Sequence, residues 1–109
     1  MIRVFLDENV DVRLAEQLSG CVVRSVRTEG WFGVSNGELL SRIENGFDVL
    51  ITHDRGLEHQ QRWAGRTLGL VVIRSESTDF SIYEAALPDL LQAIRGVRPG
   101  TVTNVMLGP

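Results

Sequence analysis

Lysine is absent from this chain, and all 11 basic residues are arginine. Cysteine occurs once, at Cys21, so no internal disulfide can form; the thiol reads as a small inert group packing at the start of an apolar segment. Long apolar runs are missing too. Stretches such as Leu70 to Ile73 fall far short of the ~20 residues a membrane helix needs, which excludes a membrane-spanning protein. The segment Met1 to Asn9 has too short an apolar run, and Asp7 and Glu8 arrive too early, for a secretory signal, so a cytoplasmic location is expected. No basic excess is present: the net charge is −3, which argues against holding nucleic acid by bulk charge. No glycine-rich phosphate loop follows the first apolar run, which disfavours nucleotide cofactors. His53 and His59 are poorly spaced for one helix face and no third histidine or Cys-x-x-Cys supports zinc, while Ser35 lacks a Gly-x-Ser-x-Gly elbow.

What is present is the composition of one soluble globular domain. The 109 residues are 43% hydrophobic and 23% charged, and a single domain over residues 1–109 is expected. Ile2 to Leu6 is a short apolar run typical of a strand buried on both faces. Val10, Leu14, Ala15 and Leu18 recur at helical spacing up to Gly20, and Val22 to Val26 follows as a strand in which Arg24 suggests an edge or partly wet position. Arg27 to Val34 reads as a loop, in which Trp31 and Phe32, like Trp63 later, are expected as packing anchors. Ser35 opens a helix carrying Leu39, Leu40 and Ile43, and Asn45-Gly46 ends it. Val49 to Thr52 is a third strand, His53 to Trp63 a polar helical segment, and Leu68 to Ile73 a fourth strand. Ile82, Ala85 and Ala86 suggest a short helix, and Pro88 the first residue of a second one with Leu90, Leu91, Ile94 and Val97. After the Pro99-Gly100 turn, Thr101 to Leu107 alternates weakly as a last edge strand.

This alternation implies an α/β fold, a largely parallel five-stranded sheet with helices on both faces. In such sheets the functional crevice lies beyond the carboxyl ends of the strands, near the point where strand order reverses. That directs attention to Asp7 to Asn9, Arg27 to Glu38, Thr52 to Arg55 and Arg74 to Glu76.

Three segments deliver carboxylates toward that rim: Asp7 and Glu8, Glu38, and Asp54. Converging like charges are costly unless a cation neutralises them, and Mg²⁺ or Mn²⁺ prefers oxygen ligands of this kind. Such an ion can activate water and stabilise charge developing on a phosphodiester. Each acid also has a plain structural explanation. Ser35-x-x-Glu38 matches a capping box, Asp54 and Asn9 are suited to cap helices, Asp11 favours a helix dipole, and Glu8 can face solvent. Asp7, at a strand end before the helix signal begins, is hardest to explain as a cap. Gln60, Gln61 and the arginines Arg55, Arg62 and Arg66 read as polar helix positions, with the arginines also able to meet phosphate.

The ordered set Leu6-Asp7-Glu8-Asn9, Gly30-Trp31-Phe32-Gly33, Asn36-Gly37-Glu38-Leu39-Leu40, Phe47-Asp48-Val49-Leu50, Thr52-His53-Asp54 and Gln60-Gln61 resembles a family of small bacterial PIN-like proteins of otherwise unassigned function. The resemblance implies a PIN-like α/β fold in which acids at the strand ends hold Mg²⁺ or Mn²⁺ for RNA cleavage, often as the toxin of a toxin–antitoxin pair. Carried over by position, the catalytic and metal-binding acids would be Asp7, Glu38 and Asp54, joined by Glu8 at the metal. Asn9, Asn36, Thr52, Arg55, Gln60 and Gln61 would support them. The partners implied are RNA and an antitoxin protein; a homodimer through the last edge strand is a further candidate partner. Where a second acid often occurs in the broader pattern, this chain has Asn36 and Gly56. That departure sustains a second expectation, a catalytically lapsed PIN-like module that binds a protein. A phosphoacceptor receiver domain, with Asp54 as acceptor, would require a lysine that the chain does not contain.

Overall fold

A computed structural model describes residues 1–77 and 79–106. Five strands, β1 (Ile2–Leu6), β2 (Cys21–Ser25), β3 (Val49–Thr52), β4 (Gly69–Arg74) and β5 (Val102–Met106), form one sheet in the order β2-β1-β3-β4-β5. Every pairing is parallel, with Leu6 level with Ser25 on one side and Ile51 on the other, so the expected α/β architecture is found. β1, β3 and β4 are buried on both faces, which is why they read as continuous apolar runs.

The helical connections differ from the expected ones at several points. The first is a 3₁₀ helix, Val12–Gln17, rather than an α-helix from Val10; its cap is Asp11, which accepts from the Arg13 amide, and Leu14 is its buried residue. Val26 leaves β2 to begin α1 (Val26–Glu29), a turn inside the segment read as a loop, capped by a reciprocal Ser25–Thr28 box. α2 spans Asn36–Ile43. The polar segment after β3 shrinks to α3 (Leu57–Gln60), held by the burial of Leu57. The two helices expected around Pro88 are one, α4 (Ser81–Gly96), because Ile82, Tyr83, Ala86, Leu90 and Ile94 make a single buried stripe through the proline. Cys21 is half-buried against the core, and the expected last strand's Leu107 lies outside the described residues. Among the described residues no helix is long and apolar enough to cross a membrane.

Two cores flank the sheet. On one face Leu14, Leu90 and Ile94 pack on Val4, Leu6, Ile51, Val71 and Ile73. On the other, Leu39, Leu40, Ile43, Leu57 and Trp63 pack on Phe5, Leu50, Leu70 and Val72. This distribution fixes the hand of each crossover. The step from β1 to β2 runs one way with the 3₁₀ helix on the first face, and the steps from β2 to β3 and β3 to β4 run the other way with α2 and α3 on the second face. Those three share one hand. The step from β4 to β5 continues in the same direction, yet α4 lies on the first face, giving the opposite hand in a class of connection that is right-handed in ~98% of cases. The consequence is local. The start of α4 reaches the 3₁₀ helix, with the Arg13 guanidinium 4.2 Å above the Phe80 ring, and closes a wall beside the ends of β1 and β3.

Candidate functional site

β1 is the first strand laid down and later strands are added on both its sides, so the chain reverses strand order between β1 and β3. The loops leaving those two strands diverge and open a crevice, as parallel sheets do at such a point. A cleft of about 550 Å³ lies there, lined by the run Asp7 to Val12 and by Arg27, Phe32, His53, Ser75, Ser77 and Tyr83.

Asp7 is the pivot. Its amide donates to the Ile51 carbonyl at 2.9 Å, extending the β1–β3 ladder by one bond and drawing its carboxylate under the loop, where the residue is only 6% exposed. One carboxylate oxygen accepts from the Glu8 amide at 2.8 Å and the other from the Thr52 hydroxyl at 2.7 Å. Thr52 is fully buried, and its Oγ1 in turn accepts from the Asp54 amide at 3.0 Å and from the Asn9 side-chain amide at 3.3 Å. Asn9 completes the tie with its Oδ1, which accepts from the His53 amide at 3.0 Å. Asn9 is thus a clamp between the two loops, not the helix cap the sequence suggests; Asp11 takes that role. Asp54 is not a helix cap either, since Gly56 occupies that position; the Asp54 carboxylate accepts from the Gly56 amide at 2.8 Å, a local turn.

The other expected residues fall into separate groups. Ser35 caps α2 by accepting from the Glu38 amide, but the Glu38 carboxylate does not return the bond: it pairs with Arg42 one turn on, at 3.1 Å, and is exposed. Asn36 donates to Gln60 at 3.2 Å, tying α2 to α3. Gln60 and the Asp54 carboxylate both crowd Gly56, 3.0 and 3.2 Å from where a β-carbon would stand. Glu8 and Arg55 are exposed and Gln61 is half-exposed. Arg66 pairs with Glu44 at 2.8 Å on the far side of α3. The structure therefore joins Asp7, Asn9, Thr52 and Asp54 directly, brings Asn36 and Gln60 to their edge, and leaves Glu38 in a separate ion pair. Among the described residues no group of three His, Cys, Asp or Glu stands close enough to share a metal ion.

Tyr83 carries no signal in the sequence, and it meets His53, of the Thr52-His53-Asp54 run, in the cleft. The His53 Nε2 shares a hydrogen bond with the Tyr83 hydroxyl. Burial pushes the imidazole below its ordinary 6.5 and the phenol above its ordinary 10.0, with the Ile73 carbonyl opposing the shift at His53. At neutral pH the imidazole is uncharged and the phenol protonated, so the bond joins two neutral groups and its direction follows the histidine tautomer. Tyr83 reaches this position only because α4 lies on the 3₁₀ face. Trp63 is buried and Trp31 half-buried, as anchors should be, whereas Phe32 is 60% exposed on the rim of the cleft.

Compared with protein-family models, with curated proteins and with solved structures, the chain matches none.

Proposed function

We propose that this chain is a PIN-like, Mg²⁺- or Mn²⁺-dependent ribonuclease working at the β1–β3 cleft, of the kind that serves as the toxin of a toxin–antitoxin pair. The observation that carries the reading is Asp7: a carboxylate buried at the strand-order switch point, oriented through a fully buried threonine, and still facing a cleft. Structural acids at such positions usually cap a helix or meet an arginine, and Asp7 does neither. Each of its oxygens accepts one bond, which leaves about half of a carboxylate's lone-pair sites for a ligand.

The donor set suits a hard divalent ion. Mg²⁺ is commonly held by only one or two carboxylates, its remaining positions going to water and substrate phosphate; Thr52 bonds the Asp7 carboxylate and the Asp54 main-chain amide, which brings the Asp54 segment next to Asp7. Such an ion supplies positive charge to a scissile phosphodiester and acidifies water. The chain's own residues do the rest. Thr52 fixes the rotamer of Asp7, and Asn9 keeps the β1 and β3 loops at a constant separation. Ser75 and Ser77 also line the cleft; the Ser75 hydroxyl donates to the Ser77 carbonyl, and the Ser77 hydroxyl, which accepts from the Asp79 amide, keeps its proton for a phosphate oxygen. Glu38, bound to Arg42, is not needed for this arrangement.

The test is a calorimetric titration of Mn²⁺ into the wild type, Asp7→Asn and Asp54→Asn. Binding in the wild type that is lost in both variants is expected, together with loss of RNA cleavage; cleavage that persists unchanged in the double variant sinks the assignment. A second reading, a lapsed module that binds a protein, is favoured by the Glu38–Arg42 pair and by the exposed Phe32. Absence of Mn²⁺ binding in the wild type would select it.

A further inference from the structure

A phenylalanine gains strongly from burial, yet Phe32 projects from the rim of the cleft on a segment that is firmly held. Its neighbour Trp31 turns inward and stacks on Phe5 with ring centroids 5.7 Å apart, while the Arg42 guanidinium lies 5.1 Å from the outer face of the indole. Gly30, at φ 72°, closes α1 in the left-handed conformation and turns the chain into this geometry. The exposed ring is thus presented by an anchored turn. Arg27 lines the same cleft, is exposed, and among the described residues joins no ion pair. Of the acids in the cleft, Asp11 is taken by Arg13 at 2.6 Å and the buried Asp7 accepts a hydrogen bond on each oxygen, which leaves Glu8 as the exposed acid.

We infer that Phe32 and Arg27 bind one nucleotide of a single-stranded RNA, the base stacked on the Phe32 ring and its phosphate on the Arg27 guanidinium, so that the neighbouring phosphodiester lies toward Asp7. This rests on the ribonuclease reading for what happens at Asp7, but the binding itself needs only the aromatic and the cation. Stacking on a side chain requires a base free of its duplex neighbours, which selects single strands and tolerates any base, because every base has a π-face. A lone guanidinium adds a salt-dependent contact without sequence preference.

Fluorescence anisotropy of a short labelled single-stranded RNA in EDTA tests the pair without turnover. Phe32→Ala is expected to weaken binding about tenfold and Phe32→Trp to retain it. Arg27→Gln is expected to weaken binding and to lower the slope of log affinity against log salt by about 0.7. Both positions are exposed, and unaltered circular dichroism establishes that the variants fold. RNA binding that is absent in the wild type, or equal in wild type and Phe32→Ala, overturns the inference and assigns the ring to a protein partner. Mn²⁺ titration separates the two readings. A chain that binds Mn²⁺ through Asp7 but binds RNA without regard to Phe32 keeps the nuclease site and loses this inference. Phe32-dependent RNA binding in a chain that takes no Mn²⁺ does the reverse.

Discussion

Replacing Thr52 by valine keeps the shape of a fully buried side chain and deletes the one atom that joins Asp7, Asn9 and Asp54. The main loss is the bond to the Asp7 carboxylate, at 2.7 Å and between residues that are both buried; hydrogen bonds to charged groups contribute about 1.5–3 kcal/mol. The two bonds that Oγ1 accepts come from loop residues that water can reach, so they add at most about 1 kcal/mol more. No cavity opens, because a methyl replaces a hydroxyl. The expected loss is therefore about 2–3 kcal/mol, a large share of the ~5–15 kcal/mol that holds a domain together, and at this size it lowers the melting temperature by roughly 10–20 °C. Urea unfolding followed by circular dichroism measures it. Repeating the substitution in Asp7→Asn should roughly halve the cost, because the acceptor is then neutral, and the difference is the coupling between the two residues. Mn²⁺ affinity should fall between ten- and a hundredfold, as it does when a residue that orients a ligand is removed. A stability loss below about 0.5 kcal/mol, the ordinary scatter of surface substitutions, would refute the claim that Thr52 holds Asp7 in place.

Pro88→Ala should stabilise the protein by about 1–3 kcal/mol in the same urea experiment, since Pro88 is an exposed proline in the interior of α4 where it removes a backbone bond and crowds the preceding turn; destabilisation would refute that strain. His53 should titrate below 6.5 when its ring is followed by NMR. Because the unfolded imidazole takes up its proton first as pH falls, the neutral folded form stabilises the protein fully above 6.5, and that contribution is lost as pH falls from 6.5 through the lowered folded value. His53→Gln should flatten this part of the stability profile, and a profile identical to wild type would show that the buried imidazole is not its source.

Much of the fold was legible because its signals are local. The apolar runs of β1, β3 and β4 stand out since a strand buried on both faces needs no alternation, and the Leu39, Leu40 and Ile43 stripe needs only the helical period. The misread connections fail where local and tertiary preferences compete. Pro88 is a valid helix start taken alone, but the buried stripe from Ile82 to Ile94 pays for its passage through a continuous helix. Asn9, Asp11 and Asp54 are all good caps by type; only the pairing of β1 with β3, which puts Thr52 and His53 beside the Asn9 loop, decides that Asp11 caps and Asn9 clamps.

The candidate site divides in the same way. The sequence by itself determined that acids would gather at the carboxyl ends of the strands and that Asp7 would be the hardest of them to explain as a cap, because strand ends and helix starts are properties of a few adjacent residues. It also determined that no lysine chemistry was available. Tertiary structure alone decided what each acid meets. The Asp7 carboxylate and the Asp54 main-chain amide share Thr52 because β1 and β3 are neighbours in a sheet whose order differs from the chain's, whereas Glu38 finds its arginine one helical turn away. The reversed hand of the β4–β5 crossover, which carries Tyr83 to His53, likewise depends on which face α4 covers, and both faces of β4 are apolar, so the strand's own pattern prefers neither.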